Sequence, residues 1–248
     1  MQTASRYGGG PVSSSSMAAP RLLIFDLDGT LIDSSLDLCN AVNVALRQVE
    51  RRALPNELIA SYVGDGAAML VRRALGDPGD LDSLRPDNAL FERTYAAFIE
   101  YYRVHKLDNT CCYAGVLEAL TVMRRRHPQL PMAVLTNKPV IPSREICTAL
   151  GLAPFFFQNY GGNSFSTKKP DPEGLLTLIN EAAARFDPSI TPADTVMIGD
   201  SDVDMLTAQR AGARTLGCAY GLSPHALVAA NPDAIVATPA DWPAALQL

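Results

Sequence analysis

An apolar run that stops at two acids, Leu22-Leu23-Ile24-Phe25-Asp26-Leu27-Asp28-Gly29-Thr30, constrains this chain more than any other stretch. Four consecutive apolar residues read as a strand buried on both faces, as in the middle of a parallel sheet. The carboxylates at its end then stand in a turn. In open parallel sheets ligands gather beyond the carboxyl ends of the strands, which makes Asp26 and Asp28 site candidates. Taken alone, a D-x-D after a strand is also ordinary turn or helix-cap chemistry.

The chain around this run has the size for one domain of ordinary length plus a smaller insert, 248 residues with 48% hydrophobic and 19% charged. No apolar run approaches a membrane span. A formal net charge of −5 gives no electrostatic footprint for nucleic acid, so a ligand bearing phosphate must be met by a metal and a few well-placed lysines. Cys39, Cys111, Cys112, Cys147 and Cys218 show no C-x-x-C spacing and read as reduced thiols of a cytoplasmic protein. Residues 1–20, rich in Gly and Ser, lack the apolar core of a secretory signal and are expected to form a flexible tail, with Met17 a candidate alternative start.

Residues 35–110 carry helical patterns only. Leu36, Leu38, Val42, Leu46 and Val49 recur at helical spacing, Pro55 suits the first turn of a helix reaching 63, and Gly64-Asp65-Gly66 breaks it before another over 67–75. A turn at 76–80 leads to a helix over 87–105 with Leu90, Tyr95, Phe98, Ile99 and Tyr102 on one stripe. A helical block inserted directly after an acid-bearing strand is well placed to cover it. From 115 the pattern alternates: helix 116–126, strand 131–135, helix 143–150, helix 173–185, strand 195–198, helix 205–211, and short strands near 214–216 and 234–236. That is the signature of an α/β parallel sheet flanked by helices.

Three strand ends now carry polar groups: Asp26 and Asp28, Thr136 and Asn137, and Gly199-Asp200-Ser201-Asp202-Val203-Asp204. Parallel strands would bring them to one edge. Hard oxygen donors without a His or Cys pattern favour Mg²⁺. Asp26 is the candidate nucleophile toward a phosphoryl group, and Asp28 the candidate general acid and base. The backbone amides of Gly29 and Thr30 and the hydroxyl of Thr136 are expected to receive phosphoryl oxygens. Lys169, stiffened by Pro170 and Pro172, is the expected fixed positive charge; Lys138 and Lys168 read as surface charges. Thr136-Asn137 alone could be a cap, Asp202 or Asp204 could simply favour a helix N-terminus, and His105 reads as core or surface.

In this order the motifs resemble those of the haloacid dehalogenase superfamily: Asp26-Leu27-Asp28-Gly29-Thr30, Thr136-Asn137, Lys169-Pro170 and Gly199-Asp200-Ser201-Asp202-Val203-Asp204. The resemblance spans about residues 21–240. It implies a Rossmann-like core (21–34 and 111–248) with a helical cap (35–110), and Mg²⁺ held by Asp26, the Asp28 backbone carbonyl and Asp200, supported by Asp204. The second acid, Asp28, is similar to that of the phosphatases rather than the dehalogenases of the superfamily. Val63-Gly64-Asp65-Gly66 and the segment from Phe98 to Glu118 resemble the phosphoglycolate phosphatase group, with Asn163 standing where an Asp is expected. Gly64 and Gly66 let the cap loop approach the substrate, and Asp65 is expected to point away from an anionic leaving group or to bind a cation.

The resemblance therefore implies an enzyme: a Mg²⁺-dependent phosphomonoesterase acting through an aspartyl-phosphate on a small phosphorylated metabolite, 2-phosphoglycolate first. The same core also serves sugar or amino-sugar phosphate phosphatases and phosphosugar mutases, and a non-catalytic binding protein of this fold is the remaining alternative. A monomer or a homodimer would suit any of these.

Overall fold

The computed structural model describes residues 19–76 and 88–248. The expected turn at 76–80 lies almost entirely outside them, as does most of the tail. The strands are β1 (Leu22–Phe25), β2 (Ile32–Asp33), β3 (Cys111–Cys112), β4 (Met132–Leu135), β5 (Gln158–Tyr160), β6 (Thr195–Gly199), β7 (Arg214–Cys218) and β8 (Ala234–Val236). Six form one sheet in the order β5-β4-β1-β6-β7-β8, every pair parallel. The acid-bearing strand β1 is thus central.

The helices are α1 (Ser35–Gln48), α2 (Asn56–Ala60), α3 (Ala67–Ala74), α4 (Asn88–His105), α5 (Val116–Arg126), α6 (Val140–Ala149), α7 (Glu173–Arg185), α8 (Asp202–Ala211), α9 (Pro224–Ala229) and α10 (Trp242–Ala245). Because side chains alternate along a strand, β1 sends Leu23 and Phe25 to one face and Leu22 and Ile24 to the other. The first pair packs with Leu120, Ile146 and Trp242 of α5, α6 and α10. The second packs with Leu175, Leu178 and Ala208 of α7 and α8. All four β1 side chains are fully buried, which is why the strand reads as an unbroken apolar run.

Helices α1 to α4 share a separate apolar cluster built on Leu38, Val42, Leu46, Ile59, Leu70 and Phe98. Two members of the expected stripes, Leu36 and Ile99, face outward instead, 43% and 38% exposed. The sequence carries no strand signal for β5, whose half-buried Gln-Asn-Tyr shows no apolar run, nor for the two-residue strands β2 and β3. The latter pair antiparallel, Ile32 with Cys112 and Asp33 with Cys111, and so join the chain where it leaves for the helical block to the chain where it returns. All five cysteines are free. No described helix is long and apolar enough to cross a membrane.

Asp37, in the first turn of α1, secures the same crossing. Its carboxylate, 2% exposed, accepts from the Asn109 amide and side chain and from the Thr110 amide and hydroxyl at 2.7 to 3.0 Å. Burial alone would raise its pKa, but these donors outweigh burial and hold the carboxyl below its ordinary value. A folded-state pKa below the unfolded one adds stability that is present above the unfolded value of about 3.9 and is lost as pH falls through the folded value. Asp37→Ala, which strands several buried donors, is expected to lower the unfolding free energy by about 3 kcal/mol at pH 7. Urea titration should show that deficit shrinking as the pH is lowered below about 4; a deficit independent of pH would contradict the assignment.

Candidate active site

Sheet register brings the acids together. Phe25 pairs with Val134 on one side and Ile198 on the other. The residues just past these rungs, Asp26, Thr136 and Asp200, therefore emerge at one edge, as the sequence pattern implies. Lys169 reaches them from the loop before α7: its ammonium lies 2.7 Å from Asp26 Oδ1 and 2.6 Å from Asp204 Oδ1. All five side chains are buried. Asp204 Oδ2 also accepts from the Ser201 amide and hydroxyl, an N-terminal capping box for α8. That box starts the helix at Asp202, three residues before the apolar pattern suggests.

Asp28 sits on the side facing the helical block. Its Oδ1 accepts from the Ser34 hydroxyl and from the Lys138 ammonium, the latter at 2.8 Å. Lys138 is therefore not the surface charge expected from sequence. It is 6% exposed, and its ammonium stands 5.0 Å from the centroid of the Tyr102 ring on α4. Burial alone would lower its pKa, but Asp28 and Tyr102 together hold it above the ordinary lysine value. Lys168 is exposed as expected, yet its ammonium donates to the Asp65 carbonyl at 2.5 Å.

The turn after Asp28 requires a correction. The Gly29 and Thr30 amides, expected to receive phosphoryl oxygens, donate to the carbonyls of Ile32 and Leu27 at 2.9 and 3.3 Å. Gly29 serves through its shape: at φ +90°, a Cβ there would come within 2.2 Å of the Asp200 carboxylate. The Thr30 hydroxyl donates to Asp200 Oδ1 at 3.3 Å, and the Leu222 amide donates to Oδ2 at 2.7 Å. Gly221 beside it leaves no room for a Cβ either. This second wall around Asp200 has no signal in the local sequence, because it arrives from the loop after β7.

The remaining candidates line the same space. Asn137 Nδ2 donates to the carbonyls of Lys169 and Gly64, both at 3.0 Å. A Cβ on Gly66 would meet the Asn137 carbonyl at 2.9 Å, so this glycine does permit a close approach. Thr136 Oγ1 accepts the Lys138 amide at 3.2 Å, which leaves its own proton to donate. Asp65 is turned aside, paired with Arg73 at 2.5 Å. Asn163 is exposed and accepts from the Val140 amide at the start of α6. His105 stacks on Tyr101 and bonds Asp108, a surface arrangement.

One oxygen from each of Asp26, Asp200 and Asp204 lies within 4.8 Å of the others. Burial pushes the Asp26 carboxyl well up against the pull of Lys169, with Asp204 adding to the rise. Burial, then Asp204 and Asp26, likewise hold Asp200 well above the usual carboxylate range. Three buried carboxylates facing one ammonium are short of positive charge, and an all-oxygen donor set is one that a hard divalent cation fits. Beside them lies a cavity of about 60 Å³ bordered by Asp26, Asp28, Thr136, Asn137, Lys138 and Gly64 among others. Gly29→Ala is expected to cost about 1–3 kcal/mol, since it combines a disfavoured φ with displacement of a buried acid; a variant as stable as the parent in urea would refute the close approach.

The family model for haloacid dehalogenase-like hydrolases matches residues 23–218. The chain is 38% identical over 203 residues to a phosphoglycolate phosphatase of Pseudomonas putida, covering 82% of this chain and 70% of that protein. It is 36% identical over 218 residues to a phosphoglycolate phosphatase of Neisseria meningitidis, covering 88% and 86%. Among solved structures it is similar to a predicted phosphoglycolate phosphatase from Haemophilus somnus, with a TM-score of 0.81, 28% identity and coverage of 92% and 98%.

Proposed function

This chain belongs to the haloacid dehalogenase-like hydrolase family, and from that premise we propose that it is a Mg²⁺-dependent phosphomonoesterase for a small phosphorylated metabolite, 2-phosphoglycolate first. The observation that carries the reading is the buried Asp26 carboxylate, fixed by Lys169 at 2.7 Å and bordering the same small cavity as Asp28. The likeness to the relatives named phosphoglycolate phosphatase supports the choice of substrate. Residues 35–110 act as the cap over a core of 21–34 and 111–248.

Mg²⁺ would be held by Asp26, the Asp28 backbone carbonyl and Asp200. Asp204 supports them, since Lys169 and Ser201 already engage both its oxygens. A cation bound there offsets the charge between carboxylate and phosphoryl oxygens and orients the ester. Asp26 attacks phosphorus as the bond to the ester oxygen breaks, giving an aspartyl-phosphate and an alkoxide. Asp28, oriented by Ser34 and Lys138, gives that alkoxide a proton. It then takes one from the water that attacks the phosphoryl group, releasing phosphate and restoring Asp26. The Thr136 hydroxyl donates to a phosphoryl oxygen. Asn137 bonds the Lys169 carbonyl and the cap loop, and Gly64 and Gly66 let that loop close over the ester.

A panel of phosphate esters ranked by kcat/KM should place 2-phosphoglycolate above sugar and amino-sugar phosphates. Absence of phosphate release across the whole panel in the presence of Mg²⁺ would overturn the phosphatase reading. Chelation with EDTA should reduce turnover to background and added Mg²⁺ should restore it; full activity in excess EDTA would exclude the metal requirement. Asp26→Asn should lower kcat by a factor on the order of 10³ or more with an unchanged circular dichroism spectrum, and substantial residual turnover would count against covalent catalysis.

A further inference from the structure

The phosphatase reading leaves one buried charge without a role beyond orienting Asp28. Lys138 and Lys169 are both buried lysines at the sheet edge, but their surroundings differ. Lys169 is shared by two carboxylates, Asp26 and Asp204. Lys138 is paired with one, Asp28. An ammonium has three donors, and this molecule already contains an example of one bridging two acids.

The other side of Lys138 borders the cavity. Among the described residues that line that cavity it is the only cation; Leu38, Val63, Leu70 and Phe98 supply apolar walls. Tyr102, also in the wall, is 5% exposed; its hydroxyl oxygen lies beside the Lys138 ammonium, and among the described residues no acceptor takes its proton. A buried hydroxyl proton without an acceptor is unfavourable, and an entering carboxylate oxygen would accept it. Position agrees with this. Asp26, Asp28, Lys138 and Tyr102 border one cavity in which Lys138 is 2.8 Å from Asp28 and 5.0 Å from the Tyr102 ring, so an ester with phosphorus at Asp26 and its bridging oxygen at Asp28 has these two side chains as its next polar neighbours. The acids in that wall are Asp26 and Asp28, each paired with a buried ammonium, Lys169 and Lys138, while Asp65 outside the wall is tied to Arg73.

Resting on the phosphatase reading above, we propose that Lys138 and the Tyr102 hydroxyl form a subsite for a carboxylate on the leaving group, so that the enzyme selects small phosphate esters of hydroxy acids over neutral esters of the same size. The ammonium bridges Asp28 and the substrate carboxylate as Lys169 bridges Asp26 and Asp204. Because the subsite combines a core loop with helix α4, it is complete only while the helical block lies over the sheet edge.

The test compares 2-phosphoglycolate with 2-hydroxyethyl phosphate, which places a neutral hydroxymethyl group where the carboxylate was. The parent enzyme should favour the acid in kcat/KM. Lys138→Met should reduce that preference at least tenfold, with the added loss on the acid appearing in KM, and Lys138→Arg should restore part of it. Tyr102→Phe should reduce the preference several-fold. Equal losses on both esters in Lys138→Met would show that the lysine only positions Asp28 and would overturn the subsite while leaving the phosphatase reading intact. An unchanged preference in Lys138→Met would overturn it too. If Lys138→Met fails to fold, the preference in Tyr102→Phe decides, and no change there overturns the proposal. Hydrolysis of neither ester by the parent enzyme, with turnover of other phosphate esters, would overturn the subsite and the choice of 2-phosphoglycolate while leaving the phosphatase reading intact; no turnover of any ester would overturn all three.

Discussion

A single buried ammonium shared by two carboxylates holds the sheet edge together. Lys169 lies between Asp26 and Asp204, and removing one member of such a buried group leaves uncompensated charge at a cost of roughly 3–5 kcal/mol. The arrangement is therefore both costly to disturb and the part that fixes Asp26. Around it the parallel sheet does simpler work. Two apolar layers pin β1 from both faces, so the acids that follow it have one direction in which to emerge.

How much of this was legible in the sequence depends on how local each contact is. The acids of the first and fourth motifs, Thr136 and Lys169 each follow a strand or a stiffened loop whose pattern is visible in a short window. Lys138 was not legible as a site residue, because its burial comes from Asp28 and from Tyr102 on a helix dozens of residues away. The Gly29 and Thr30 amides were misassigned for the opposite reason. A Gly-Thr turn does present amides, but here the turn closes on its own carbonyls. The wall around Asp200 from Gly221 and Leu222 could be found only in three dimensions.

The crossing between the helical block and the sheet shows the same division. Helical periodicity located the block, while the devices that tie its two connections together were silent: a two-residue strand pair and one aspartate accepting from both Asn109 and Thr110. Neither contains enough residues for a pattern, and both act through long-range contacts.

The loop between α2 and α3 is held in a way that bears on how such molecules diversify. Asn137 and Lys168 grip it by the main-chain carbonyls of Gly64 and Asp65. Every amino acid presents a carbonyl, so the grip is blind to the side chains of the loop. Lineages are therefore free to exchange the side chains of this loop while inheriting the same fastening to the sheet edge, so the cavity wall can change without rebuilding the acids and lysines beneath it.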